Sequence, residues 1–292
     1  MEYLLLAASI CLCVFKSSLY NAYAKNAAPS ISATFGFNAV TYGVAALVAL
    51  VLLLFDKTTA SLPTVLCALG YAAVVVSLQT LSIMAMKVGA MSLTAIAVMY
   101  GMIIPSVAGP IFWHEPTGAL QIVGICVMIL SLWLLRERRE GGARVAAKGW
   151  IPLALLCFLF SGMAGVMEKI HQSTPGKDEK ATFVLFACLF MLLFSAVGYL
   201  VTSAKKKNDG ILVRPVLTFG AVSGLVMGFY STVNLTLAGL LDSMIYYPVA
   251  NGGAMVLTVV VSCLVFKEKF GAARICGAVI GIVGIVLLSI PV

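Results

Sequence analysis

Two lysines interrupt otherwise apolar runs, Lys16 early in the chain and Lys169 directly after Glu168. A lysine inside hydrocarbon needs a carboxylate, a carbonyl, water or an anionic solute to hold its charge. Lys16 therefore reads as lining a solute pathway, with snorkelling of its long stem to the headgroups as the alternative. Lys169, close to the end of its run, is expected to carry its ammonium out to the headgroups on its long stem. Glu168 is the one carboxylate placed within an apolar run, which makes it the candidate carrier of a coupling proton. Burial favours its neutral form and Lys169 its charged form, and local pairing with Lys169 is the alternative.

The segment 227–255, MGFYSTVNLTLAGLLDSMIYYPVANGGAM, adds uncharged polar groups at depth: Tyr230, Ser231, Thr232, Asn234, Thr236, Tyr246, Tyr247 and Asn251. Such groups are costly against lipid, so they face other helices or a wet cavity. Pro248 frees a carbonyl one turn earlier, which a membrane tolerates only beside protein or water. The stretch reads as a pathway wall or, alternatively, as Ser, Thr and Gly glue between helices. Tyrosines also recur at positions 42, 71, 100, 230, 246 and 247. Aromatic faces suit an organic cation or an aromatic solute, whereas tyrosines near span ends serve as interface anchors. Tyr100 and Tyr230 lie furthest from such ends.

Other polar residues read as structural. Glu115 and Glu268 each precede an apolar run, where a carboxylate complements the helix dipole and caps free amides. Asp56 and Asp242 fall in connectors and are expected to be solvated. The eight cysteines lie in apolar segments at no metal-ligand spacing, so no metal site is expected. With two histidines, His114 and His171, and no Gly-rich phosphate loop, no enzyme or cofactor signature stands out. The one constellation a membrane-embedded lipid-handling enzyme or flippase partner could use is Glu168, Lys169 and His171. A structural subunit with no solute is a third reading, and it leaves the polar lining unexplained.

What must position these residues is a set of membrane helices. The 292-residue chain is 62% hydrophobic and 10% charged, with a mean hydropathy of +1.08, so lipid is the solvent to assume. Ten apolar segments of spanning length are expected: 3–24, 31–55, 62–86, 90–113, 119–135, 150–170, 181–203, 214–240, 243–266 and 272–290. None alternates as a membrane barrel strand would. The first has no basic leader or small-residue cleavage site and is expected to be kept as a span. The net charge of +8 collects in connectors, where topology accounts for it without nucleic acid.

The connector 136–149 separates two halves, 1–135 and 150–292. A shift of 153 residues lays His114–Gly124 over Lys267–Gly277, matching Glu115 with Glu268, Gly118 with Gly271 and Gly124 with Gly277. It also lays Lys16 on Lys169. Five spans per half force the second copy to enter from the opposite face, giving ten transmembrane helices as two inverted five-helix repeats. Fourteen connector Lys and Arg lie on one side and three on the other, which puts both termini outside the cytoplasm. Gly124, Gly277, Gly281 and Gly284 are expected to allow close helix contact.

At the repeated Glu-x-x-Gly-x5-Gly pattern (Glu115, Gly118, Gly124 and Glu268, Gly271, Gly277), together with the Ala28-Pro29-Ser30 break and FSGMAGVMEK at 160–169, the chain resembles the drug/metabolite transporter superfamily, in particular its ten-span EamA-type members. The resemblance covers nearly the whole chain. It implies a secondary transporter, taking up or exporting a small metabolite across a bacterial-type plasma membrane, with a proton or ion as coupling partner. It also places Lys16, Gln79, Tyr100, Tyr230, Asn234, Tyr247 and Asn251 near the solute. An organic amine or amino acid is the favoured solute, with an organic anion or sugar phosphate held by Lys16 as the alternative. The chain departs from the family at Ala7-Ala8-Ser9, where many relatives carry an aromatic residue, and lacks the first-span glutamate of small multidrug relatives, so drug–proton antiport of that kind is not implied. Relatives commonly keep both termini cytoplasmic, against the charge count.

Overall fold

The computed structural model describes residues 2–27, 30–56, 60–88, 91–135, 149–204, 213–265, 272–288 and 290. Among them are helices and no strand: α1 (Glu2–Ala27), α2 (Ile31–Asp56), α3 (Leu62–Val88), α4 (Met91–Tyr100), α5 (Ile103–Trp113), α6 (Ala119–Leu135), α7 (Trp150–Ser173), α8 (Lys180–Ala204), α9 (Val213–Leu240), α10 (Ser243–Val265) and α11 (Ala272–Leu288). Stretches in α1, α2, α3, α7, α8 and α9 are long and apolar enough to cross a membrane, 19 to 27 residues each. This is the character of an integral membrane protein. Ala28, Pro29, Glu268 and Gly271 lie outside the described residues, as do most of the charged connector positions.

The fourth expected segment, 90–113, is two helices rather than one. Pro105 has no amide hydrogen to give the carbonyl of Gly101, and its ring crowds that carbonyl. The chain therefore turns at Gly101 and Met102, whose amides bond three residues back to Val98 (3.1 Å) and Met99 (3.2 Å). The Ser161 hydroxyl of α7 donates to the Val98 carbonyl at 2.7 Å and steadies the turn. A Cβ on Gly101 would lie 2.6 Å from that serine's Cβ, so the close approach needs glycine.

The helices gather into two compact units. The first comprises Met1–Ile10, Ser77–Lys169 and Leu237–Val292; the second comprises Cys11–Val76 and Ile170–Thr236. Each unit therefore draws on both halves of the sequence. In the first, α6 lies along α11, and α10 packs on α5 and α11. Gly124, Gly281 and Gly284 sit where α6 and α11 meet, against Leu288, Ser131 and the Met128 backbone, and the Ser131 hydroxyl donates to the Gly277 carbonyl at 2.8 Å.

In the second unit α2 lies along α8. Ala45, Ala46 and Ala49 of α2 meet Ala187, Cys188 and Met191 of α8 in a core closed by Tyr42 and Phe183. Gly220, Gly224 and Gly228 form a stripe on α9 against Val40, Val44 and Val48 of α2. Four-residue spacing on both helices lets each valine fill the gap its glycine leaves, the small-residue packing that joins helices where lipid offers no hydrophobic drive.

Candidate functional site

In the second unit, α1 presents Lys16 to Tyr230 of α9. The ammonium lies over the tyrosine ring, 3.9 Å from its centroid, and both side chains are half-buried. The negative ring face attracts the half-buried cation, a contact worth about 0.5–2 kcal/mol. Asn234 sits one turn beyond Tyr230 on the same helix and is half-buried as well. Not every polar group of this helix needs a solute. Thr232 and Thr236 donate to the carbonyls of Gly228 (3.1 Å) and Thr232 (2.9 Å) on their own helix.

The first unit holds Gln79, Tyr100, Tyr247 and Asn251. Tyr247, on α10, is buried, and its hydroxyl donates to the Gly165 carbonyl of α7 at 2.5 Å. A Cβ on Gly165 would come within 2.8 Å of the Tyr247 ring, so glycine lets the two helices close. Tyr247 is thus a strut between α7 and α10 rather than an open cage wall. The Asn251 amide donates to the Tyr247 carbonyl at 2.9 Å. Tyr100, at the end of α4, donates to the Ile129 carbonyl at 3.3 Å, and Gln79 is half-buried on α3. The structure therefore joins Lys16 to Tyr230 and Asn251 to Tyr247; Asn234 belongs to the unit of the first pair, Gln79 and Tyr100 to that of the second.

Glu168, Lys169 and His171 are neighbours in sequence with different surroundings. Lys169 does not reach for the headgroups. Its ammonium pairs with Glu115 at 2.5 Å, with side chains only 12% and 7% exposed, and donates to the Leu241 carbonyl at 3.3 Å. Glu115 does cap a helix, but not α6, the one it precedes. It accepts from the Ser243 amide (2.7 Å) and hydroxyl (3.3 Å) at the start of α10, 128 residues away. The N-terminus of α6 is instead closed by Gln121, which reaches back to the Gly118 amide at 3.2 Å. Glu168, the residue before Lys169, is buried.

His171 belongs to the second unit and is fully buried. Its Nδ1 faces the Gln172 amide nitrogen at 3.0 Å and its Nε2 faces the Thr64 hydroxyl at 3.4 Å. An amide nitrogen only donates, so Nδ1 accepts and Nε2 carries the hydrogen toward Thr64. The ring also packs on Phe183, with centroids 4.3 Å apart. Lys169 and His171 are thus committed to separate partners.

Two carboxylates at the helix corners differ electrostatically. Asp242, between α9 and α10, is half-buried rather than solvated. Burial, then the Glu115 carboxylate, push its carboxyl above the ordinary aspartate range, and Lys169 pulls the other way. Glu179 accepts from the Ser61 amide (3.0 Å) and hydroxyl (2.7 Å) and so caps α3. Burial pushes its carboxyl up, but hydrogen bonds from Thr64 and Ser61, together with His171, outweigh it and hold the group below the usual glutamate range. The signal for the Glu115 and Glu179 partners was weak in sequence, because each of these carboxylates serves a helix remote from its own.

Comparison with known proteins adds the fold and nothing finer. One solved crystal structure of a protein superposes on 99% of this chain and 96% of its own with a TM-score of 0.76, at 14% sequence identity. No protein-family profile and no curated protein matches the chain.

Proposed function

We propose that the protein is a secondary transporter that moves a small metabolite by alternating access between two inverted five-helix halves, 1–135 and 150–292, that together make ten spans. The repeat reading is supported by packing: α2 and α8 hold the same place in their halves and lie along each other, as do α6 and α11. The carrying observation is Lys16, a half-buried cation well inside an apolar helix, stacked on Tyr230. A lysine at this place in an apolar helix can meet the anionic group of a solute.

This contact also narrows the solute. The Tyr230 face already holds a cation, so a simple organic amine would meet like charge. An amino acid offers a carboxylate to Lys16 and an apolar or aromatic remainder to the ring. An organic anion or sugar phosphate is the second reading, favoured by the same lysine. Coupling to a proton or ion and placement in a bacterial-type plasma membrane complete the proposal.

A thermal-shift screen of the purified protein tests it, since a ligand at 100 times its dissociation constant adds about 2.7 kcal/mol. Stabilisation by amino acids that disappears in Lys16→Met supports the first reading. Stabilisation by phosphates alone moves the solute to the second, and stabilisation by quaternary amines alone contradicts both.

A further inference from the structure

The corner between α9 and α10 is held by charges from three directions. Lys169 reaches it from α7, Glu115 from the corner between α5 and α6, and Asp242 lies in it. Lys169 bonds the Leu241 carbonyl, Glu115 caps the Ser243 amide, and the two pair with each other. Asp242 sits between Leu241 and Ser243 and feels both Glu115 and Lys169. The Glu115 carboxylate pairs with the Lys169 ammonium, and the Asp242 carboxyl lies within electrostatic reach of both; with these three groups charged, their sum is about −1. Among the described residues, Glu168 and Glu115 both act electrostatically on the Tyr247 hydroxyl.

We propose that Asp242 is the protonation point of a lock on the α9–α10 corner, closed when Asp242 is neutral and loosened when it ionises. Protonated, Asp242 leaves Lys169 wholly to Glu115, and Glu115 free to hold Ser243. Ionised, it repels Glu115 and competes for Lys169, so the two bonds that pin the start of α10 weaken together. Because α10 carries Tyr247 and Asn251, the proton sets how firmly that helix is anchored at its N-terminal end. The geometry lies within one unit and does not depend on what the protein carries.

The sign follows from the direction of the shift. A carboxyl that holds its proton more tightly in the closed corner than in the open one stabilises closure at low pH. That contribution is lost as pH rises through the closed-state titration. Between the open-state and closed-state values, opening grows by up to about tenfold per pH unit.

Hydrogen exchange read by mass spectrometry on the full chain in lipid nanodiscs tests this at the amides of 241–246, corrected for intrinsic exchange across the range from the ordinary carboxylate value to neutrality. In the wild type, protection of these amides should fall as pH rises. In Asp242→Asn it should stay at the wild type's acidic level throughout, and Asp242→Ser serves the same purpose if the asparagine variant does not fold. An unchanged pH dependence in either variant, or a wild-type corner whose protection ignores pH, overturns the proposal.

Discussion

The Lys16 ammonium lies 3.9 Å above the centre of the Tyr230 ring, joining α1 to α9. The ring face makes the contact with Lys16, so Tyr230→Phe should keep that contact. Tyr230→Leu should lower stability by about 1 kcal/mol and abolish binding. Chemical unfolding alongside a thermal-shift assay of both variants separates the two effects.

Glu115 and Lys169 are nearly buried partners, and removing one leaves the other charge without compensation. Glu115→Gln keeps an acceptor for the Ser243 amide yet should cost about 3 kcal/mol, because Lys169 loses its counter-charge. Combining it with Lys169→Met should recover most of that loss. A double-mutant cycle in denaturant measures the coupling directly.

How much of this was legible follows from where each signal lies. The α9–α10 corner could be read in the sequence because Asp242 and Ser243 interrupt two apolar runs. The break at Gly101–Met102 could not, because the surrounding run stays apolar, although Pro105 was a local hint. That Lys16 interrupts an apolar run was visible, but its partner Tyr230 was not, since Tyr230 comes from a helix distant in sequence. Lys169 was misread for a related reason. Near a span end, snorkelling is the local solution, and only the fold brings Glu115 within reach. Glu115 was correctly read as a cap and assigned to the wrong helix, because capping usually serves the helix that follows, and here Gln121 already does so.

Gly165 admits the Tyr247 ring. Adding a methyl group by Gly165→Ala places it 2.8 Å from that ring and 3.0 Å from Pro105, a clash that backbone shifts relieve only in part. Overpacking of this kind costs about 1–3 kcal/mol. Thermal unfolding should show the loss, and Tyr247→Phe in the same background should not deepen it much, because the hydroxyl bond to Gly165 is already displaced.

Glu179 gives the acid side of the stability profile. Its carboxyl is held below the ordinary value of 4.5, so its stabilising contribution is fully present above that value and is lost as pH falls through the lowered folded-state value. Wild-type melting temperature should therefore drop on acidification below about pH 4.5. In Glu179→Gln that drop should be shallower, from a lower starting stability, because the cap on Ser61 is weakened. Melting curves of the two proteins across the acid range check the sign.

The central claim, that Lys16 and Tyr230 mark the path of a transported solute, is tested most directly by uptake into proteoliposomes. Radiolabelled amino acids, organic anions and sugar phosphates are offered to vesicles carrying wild type, Lys16→Met or Tyr230→Leu. Saturable uptake of at least one anion-bearing class by the wild type is expected, lost in both variants while each remains folded. Uptake unchanged by both substitutions, or no uptake of any class above protein-free vesicles, would contradict it.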